Sequence, residues 1–111
     1  MRLSNAIVHV SDMKRTVSFY RDVMGLPLRF ESPGWTEFAT DGATLALHAF
    51  EGAGLCRPGL SVENLDEFHR GMVEKNVPCV QEPKELFGAR IAQYTDPDGL
   101  AISVSQEMPG R

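Results

Sequence analysis

Three side chains are of types that bind divalent metal ions or transfer protons. His9 and His48 carry imidazoles, which as a class titrate near neutral pH, and Glu37 carries a carboxylate. Two imidazoles and a carboxylate form a plausible ligand set for a first-row metal ion. These residues come from three separate segments, and ligands from three segments converge only in a site built for the purpose. We therefore favour hydrogen-bonding roles for all three, with a metal site at His9, Glu37 and His48 as the alternative.

Trp35 and Arg57 are the other residues that a ligand could use. Trp35, the single tryptophan, can stack on a planar ligand or pack at the rim of a pocket. Arg57 can bind a ligand carboxylate or phosphate, or form an internal ion pair with Glu37. The sequence contains no nucleophile–base pair in register, no phosphate-binding glycine loop and no metalloprotease motif. These features favour binding of a small molecule over those reactions.

The elements that position these residues are repeated along the chain. "TDGATLALH" (40–48) is echoed by "TDPDGLAISVS" (95–105), and "NAIVHVSDM" (5–13) is echoed by "RPGLSVENL" (57–65). The matching segments occur in the same order in both halves, at an offset that drifts from 52 to 57 residues. Such a pattern indicates a duplicated module. We predict a single α+β domain with a first module at 1–50, a linker at 51–56 and a second module at 57–108.

Each module is predicted to run strand, helix, strand, strand, strand. The first strand covers Ala6–Val10 and ends at Ser11-Asp12, which can cap the following helix, as Asn64 can in the second module. Turn dipeptides mark the ends of the further strands. Residues 74–85 are predicted to form a solvated helix end and a loop. The predicted strands are 28–32, 35–40, 44–49 and 100–106, and the buried helix stripes are Met13, Val17, Tyr20 and Met24, then Leu65, Phe68, Met72 and Val73.

Strand alternation assigns the side chains to two faces of the sheet. One set is almost uniformly apolar and is predicted to pack under the helices: Val8, Val10, Phe38, Leu45, Leu47, Leu60, Val62, Tyr94, Ile102 and Val104. The opposite set is small, aromatic or hydrogen-bonding rather than rich in lysine and glutamate. That composition favours the lining of a concave pocket between the modules over a plain solvated face. The opposite set is Asn5, Ile7, His9, Trp35, Glu37, Thr44, Ala46, His48, Arg57, Ser61, Gln93, Ser103 and Ser105.

Composition excludes several functional classes. A net charge of −4 over 111 residues gives no electrostatic basis for binding nucleic acid or anionic lipid. No apolar run reaches membrane-spanning length, and the first ten residues are too polar for a signal peptide. Cys56 and Cys79 form no CxxC motif, so we expect reduced thiols in the cytoplasm.

Two segments carry a family resemblance. "VSDMKRTVSFYRDVMGLPL" (10–28) and "YTDPDGLAISV" (94–104) resemble the vicinal oxygen chelate superfamily, which includes glyoxalase I, extradiol dioxygenases and bleomycin-resistance proteins. The resemblance covers essentially the whole chain and implies two βαβββ modules in a cupped mixed sheet, with helices on its outer face. It also implies a homodimer.

The resemblance also tells where a divalent metal would be bound. Enzymes of the superfamily hold the ion with side chains at symmetric positions, which here are Asn5, Ala46, Arg57 and Ser103. None of these is a usual ligand, and Arg57 would bring positive charge. We therefore expect no cofactor, with a divalent metal at a shifted site as the alternative.

The resemblance and the residues together predict a metal-free binding protein for a small organic molecule, such as one that sequesters an antibiotic or another xenobiotic. The alternative is a metal-dependent lyase, isomerase or dioxygenase of the glyoxalase type. A third hypothesis is an acid–base isomerase or lyase that works through His9 or His48. The predicted ligand-binding residues are Asn5, Ile7, His9, Trp35, Glu37, Ala46, His48, Arg57, Gln93, Ser103 and Ser105.

Overall fold

The computed structural model describes residues 1–49, 54–86 and 88–107. Two compact units make up the fold: an N-terminal unit, Ser4–Cys56, and a C-terminal unit, Met1–Leu3 with Arg57–Arg111. At the predicted boundaries, three parts lie outside the described residues: residue 50 at the end of the first module, residues 51–53 of the linker and residue 108 at the end of the second module.

The N-terminal unit is a four-stranded mixed sheet with one helical connection. It contains β1 (Arg2–Val10) from Ser4 onwards, α1 (Met13–Ser18), a π-helical segment (Phe19–Val23), β2 (Leu28–Glu31), β3 (Trp35–Phe38) and β4 (Thr44–Ala49). The strand order is β2-β3-β4-β1, in which β1 runs parallel to β4 and the other neighbours are antiparallel.

The C-terminal unit repeats this arrangement. Its elements are β5 (Cys56–Val62), α2 (Leu65–Glu74), β6 (Cys79–Leu86), β7 (Ala89–Thr95) and β8 (Ala101–Gln106). The strand order is β5-β8-β7-β6, again with one parallel pair, β5 with β8, and two antiparallel pairs. The repeat and the α+β fold predicted from the sequence are therefore confirmed.

Both helices begin at the predicted caps. The Asp12 carboxylate accepts a hydrogen bond from the Arg15 backbone N–H at 3.1 Å, and the Asn64 side-chain oxygen accepts one from the Glu67 N–H at 3.1 Å. Each bond satisfies a backbone donor that the first turn of a helix leaves without an intrahelical partner. The caps therefore fix where each helix starts over its sheet.

Each unit buries its own apolar cluster between helix and sheet. The predicted assignment of faces is confirmed, because the apolar set lies on the side of the helices. The N-terminal cluster is built on Val10, Met13, Val17, Phe38 and Leu47, and the C-terminal cluster on Val62, Leu65, Ala92, Tyr94 and Val104.

The prediction that Met24 and Val73 belong to the buried helix stripes is wrong. Met24 is 58% exposed, because its N–H bonds the carbonyl of Phe19, five residues back, at 3.0 Å. That bond widens the helical turn, so the residues after it no longer face the core. Met72 packs against the core, and successive helix residues point about 100° apart, so Val73 points away from the core and is 56% exposed.

The prediction for residues 74–85 is also wrong in its second half. Helix α2 ends at Glu74, but β6 then pairs antiparallel with β7 from Cys79 onwards. Pro83 and the charges around it obscured the strand in the sequence. Proline is compatible with a strand at the edge of a sheet, which is where β6 lies within its unit.

No helix in the described part of the chain is long and apolar enough to cross a membrane.

Candidate functional site

The N-terminal unit brings its predicted site residues together on one side of its sheet, which we call the polar face. Cross-strand partners point to the same side of a sheet, so the register defines rows of neighbours. Seven of the eleven predicted site residues lie here and four lie in the C-terminal unit. The rows of the polar face are Asn5–Thr44, Ile7–Ala46–Glu37 and His9–His48–Trp35.

Three rings follow one another along the last of these rows. The centroids of Trp35 and His48 are 5.5 Å apart with planes at 63°, and those of His48 and His9 are 6.0 Å apart at 85°. These are edge-to-face arrangements, which place ring edges against ring faces and hold each ring in one orientation. All three residues are partly exposed. The row can therefore present aromatic and imidazole surface to a ligand.

Glu37 is held by donors from its own strand and from the neighbouring strand. Trp35 Nε1 donates to Glu37 Oε2 at 2.9 Å, because residues two apart on β3 share a face. Arg29 Nη2 lies 3.5 Å from Glu37 Oε1. The carboxylate therefore has one short hydrogen bond and one longer ion-pair contact. It is oriented and charge-balanced within the unit.

Arg29 is a further member of the polar face, and the alternation of the sequence does not predict it. Its guanidinium also donates to the Thr44 hydroxyl across the sheet. The register between β2 and β3 shifts between Leu28 and Phe30, so Arg29 is the extra residue of a β-bulge. A bulge re-aims side chains, and simple alternation therefore misplaces this one. The available signal was the short β2 segment after Pro27, with no more specific motif.

The same bulge places Phe30 on the polar face. Phe30 is in register with Glu37 and is 52% exposed. An exposed phenyl ring and the partly exposed Trp35 indole therefore both neighbour the Glu37 carboxylate. By contrast Ile7 and Ala46 are buried, at 3% and 0% exposed, so a ligand would meet their polar and aromatic neighbours first.

The four predicted residues of the C-terminal unit also share one side of their sheet. Gln93 is in register with Ser103, and Ser105 with Ser61. Arg57 Nε donates to Ser103 Oγ at 3.2 Å, and the hydroxyls of Ser61 and Ser105 are 3.4 Å apart. Burial lowers the pKa of Arg57 from its ordinary value, yet an arginine stays charged at physiological pH. This side therefore offers a cation and neutral hydrogen-bonding groups.

The residues at the family's metal positions do not fit a metal ion. In the N-terminal unit, Asn5 and Ala46 supply an amide and a methyl group. In the C-terminal unit, Ser103 accepts a hydrogen bond from the Arg57 guanidinium, which would repel a cation. Among residues 1–49, 54–86 and 88–107, no group of three or more His, Cys, Asp or Glu side chains is placed to hold a metal. His9, Glu37 and His48 share a face without forming such a group.

His69 lies on α2 and contacts a residue of the sheet beneath the helix. Its Nδ1 lies 2.8 Å from the hydroxyl of Tyr94, which is fully buried under α2. Burial, with a smaller contribution from the charge of Cys79, raises the pKa of Tyr94 to about 12. This contact belongs to the helix side of the sheet, so it supports the fold and takes no part in the polar face. Cys56 and Cys79 are both exposed free thiols.

Comparison with known proteins gives one family. The family model for the Glyoxalase/Bleomycin resistance protein/Dioxygenase superfamily matches residues 2–104. The uncharacterized protein YraH of Bacillus subtilis (strain 168) is 25% identical over 124 residues, covering 94% of this chain and 97% of the relative.

Solved structures give the same fold. A NAD-dependent benzaldehyde dehydrogenase from Legionella pneumophila superposes with a TM-score of 0.78 at 20% identity, covering 94% of this chain and 98% of the other. A superfamily member from Vibrio splendidus 12B01 gives 0.75 at 19% identity, covering 96% and 98%. At these identities the likeness concerns the fold, and the site must be argued from the residues of this chain.

Proposed function

The chain belongs to the glyoxalase/bleomycin resistance protein/dioxygenase superfamily, and from the side chains on its polar face we propose that it binds a planar small organic molecule without a metal ion. Binding of this kind needs apolar or aromatic surface with a few placed polar groups. We further propose that the biological role is sequestration of an antibiotic or another xenobiotic.

The observation that carries the proposal is the row Trp35–His48–His9 with Glu37 beside it. The rings stand edge to face at 5.5 and 6.0 Å, and the Trp35 N–H is fixed by Glu37 at 2.9 Å. An oriented and partly exposed indole can stack on a flat ligand without reordering, which lowers the entropic cost of binding. The imidazoles and Asn5 can supply hydrogen bonds at the ligand's edge.

The residues at the family's metal positions support a metal-free role over the glyoxalase type of reaction. A Lewis-acid mechanism needs histidine, carboxylate or thiolate ligands, and Asn5, Ala46, Arg57 and Ser103 supply none. Arg57 instead forms a hydrogen bond with Ser103. In the C-terminal unit, Arg57, Gln93, Ser103 and Ser105 are proposed as additional ligand-binding residues.

A nuclear magnetic resonance titration tests the proposal, because a single tryptophan gives a single indole N–H signal. We expect the uncharged planar probe 2-naphthamide to shift the Trp35 indole signal saturably. Phe30→Ala should weaken binding several-fold, since one exposed ring contact is worth about 1 kcal/mol. Phe19→Ala removes an exposed ring on the helix side and is the matched control, for which unchanged binding is expected.

Elemental analysis of untagged protein completes the test. Stoichiometric zinc, nickel, iron or manganese, with turnover of the methylglyoxal–glutathione hemithioacetal, would replace the proposal by a metalloenzyme. Turnover without metal that is lost in a His9→Gln/His48→Gln double variant would favour acid–base catalysis. Binding of 2-naphthamide with neither result supports sequestration.

A further inference from the structure

The polar face of the N-terminal unit carries one pair of opposite charges. Its one carboxylate, Glu37, is matched by one guanidinium, Arg29, at 3.5 Å. His9 and His48 lie on the same face and become positive when protonated, whereas Asn5 and Thr44 are neutral. The described side chains of this face therefore carry no uncompensated negative charge. Protonation of either imidazole adds positive charge.

We propose that this face prefers planar ligands that carry a carboxylate or a similar anion, and that Arg29 determines the preference by binding that group. The inference rests on the proposed binding function and adds the charge class of the ligand. It assigns a specificity role to a residue outside the positions that the family resemblance singles out.

The geometry of Arg29 suits this role. Among the described residues its hydrogen bonds all use Nη2, which faces Glu37 and Thr44. A guanidinium has five N–H donors in a planar fork, so the Nε and Nη1 donors remain for a ligand. The side chain is 50% exposed. A carboxylate arriving from solvent can therefore meet the Nη1 N–H groups directly. Once Nη2 leaves Glu37, the carboxylate can bind the parallel pair of Nη1 and Nη2 N–H groups, the arrangement in which arginine binds such groups best.

The contact between Arg29 and Glu37 is long enough for a ligand to break it. Charge-assisted N–H···O bonds are usually about 2.7–2.9 Å long, whereas Arg29 Nη2 stands 3.5 Å from Glu37 Oε1. Ion pairs at this level of exposure contribute little to stability, because water screens them. A ligand anion can therefore draw the guanidinium towards itself at small cost. Glu37 keeps its shorter bond from Trp35 at 2.9 Å when this happens.

A cationic ligand is at a disadvantage at the same place. It would have to approach Glu37, whose two oxygens already face Trp35 Nε1 and Arg29 Nη2. It would also meet the Arg29 charge at short range. Phe30 is adjacent to Arg29 in the chain and in register with Glu37. A flat ligand resting on Phe30 or Trp35 therefore has its substituents within reach of Arg29.

Three matched naphthalene probes test the inference: 2-naphthoate, 2-naphthamide and 2-(aminomethyl)naphthalene. Affinities are measured with the full chain by titration calorimetry and by the Trp35 indole signal. We expect 2-naphthoate to bind about tenfold more tightly than 2-naphthamide, as one charge-assisted contact would give, and the cation to bind most weakly. Raising the ionic strength should reduce the preference, because the side chain is exposed.

Variants then locate the preference. Arg29→Gln should remove the advantage of 2-naphthoate and leave 2-naphthamide binding within about twofold. Arg29→Lys keeps the charge without the fork and should retain part of the advantage. Arg21→Gln is the matched control, because Arg21 is a similarly exposed arginine, ion-paired to Asp22 on the π-helical segment. It should leave all three affinities unchanged.

The outcomes separate the two proposals. Equal binding of 2-naphthamide and 2-naphthoate overturns the inference and leaves the binding function standing. The same holds if the preference survives Arg29→Gln in a variant whose thermal unfolding matches the parent. If none of the three probes shifts the Trp35 signal, the proposed function itself is overturned.

Discussion

Glu37 is the residue that organises the polar face of the N-terminal unit. It accepts a hydrogen bond from the Trp35 indole at 2.9 Å and faces Arg29 at 3.5 Å. One carboxylate therefore orients an aromatic ring and partly neutralises the charge of a guanidinium. The two tasks depend on different properties. The bond to Trp35 needs only an acceptor oxygen, whereas the contact with Arg29 needs negative charge. A substitution that changes charge and keeps shape separates them.

Glu37→Gln should therefore strengthen binding of 2-naphthoate. The amide oxygen can still accept from Trp35, but the anion that competes for Arg29 is gone. We expect a gain of about threefold, in keeping with the roughly 0–1 kcal/mol of an exposed ion pair, measured by titration calorimetry. Glu31→Gln makes the same change of charge on β2, where Glu31 is in register with the buried Thr36 on the other face. An equal gain in both variants would show a general charge effect and contradict the prediction.

Tyr94 gives a second prediction for a single residue, concerning stability. Burial raises its pKa to about 12, above the ordinary value of about 10 that it has in the unfolded chain. The unfolded state therefore loses the phenol proton first. The stability that the protonated Tyr94 phenol contributes to the folded state is fully present below pH 10 and is lost as the pH rises towards 12.

Tyr94→Phe should remove that part of the alkaline loss of stability. The measurement is urea unfolding from pH 9 to 12, comparing the slopes of unfolding free energy against pH. Tyr20→Phe removes the chain's other phenol and should keep the wild-type slope. An unchanged slope in Tyr94→Phe would show that other groups carry the effect. At neutral pH the variant should lose about 1 kcal/mol with the His69 contact.

At the scale of elements, the start of α2 depends on one side chain. Asn64 accepts from the Glu67 N–H, and Leu65, the first helical residue, is fully buried against the sheet. Loss of the cap would leave a backbone donor unsatisfied at the point where the helix enters the core.

Asn64→Ala should lower the free energy of unfolding by about 1 kcal/mol, the usual value for such a cap. Asn64→Asp is the matched variant, since its carboxylate can accept the same bond, and it should stay close to wild type. Chemical denaturation with circular dichroism at 222 nm measures both. Equal losses in the two variants would assign the effect to something other than capping.

The sequence could predict elements wherever a pattern has a fixed period. Alternation placed Val10, Phe38 and Leu47 on the helix side, and they lie in the core. Alternation also placed Trp35, Glu37 and His48 on the opposite side together, which the register bears out. Strict alternation ends at the bulge of β2, so it does not place Arg29 on the polar face.

Contacts between distant residues left no signal in the sequence. His69 bonds Tyr94 across 25 positions, from a helix to a strand beneath it. Arg70 follows it and Asp66 lies one turn before it, and these charged residues indicate a solvated position. The π-helical turn that exposes Met24 depends in the same way on how the chain re-enters the sheet after Gly25, which has a positive φ of 79°. Local propensity contains neither piece of information.

At the scale of the whole molecule, we propose that the chain forms a homodimer through an edge strand. β2 lies at one edge of the N-terminal unit, and β6 lies at one edge of the C-terminal unit. β6 contains Pro83 between Glu82 and Lys84, features that discourage strand pairing, whereas β2 has no proline and exposes Leu28 and Phe30. We therefore expect a second copy to join at β2.

Light scattering should give a mass of about twice the 12.3 kDa of one chain. Leu28→Lys should shift the equilibrium towards the monomer, because it places like charges where two edges meet. Val80→Lys makes the same substitution at an exposed apolar residue of β6 and should leave the mass unchanged. A dimer that persists in Leu28→Lys and dissociates in Val80→Lys would assign the contact to the other edge.

The first residues of the chain belong to the same unit as the last described ones. Arg2 Nε and Glu107 Oε1 are 3.3 Å apart, within the C-terminal unit. A short glycine-serine bridge from Glu107 to Arg2 could therefore close the described chain into a ring, and the ring could be reopened at Gly54, between β4 and β5. The permuted gene would encode the second repeat before the first, reversing the order in which the ribosome makes them. It would show whether each repeat can fold without the other already in place.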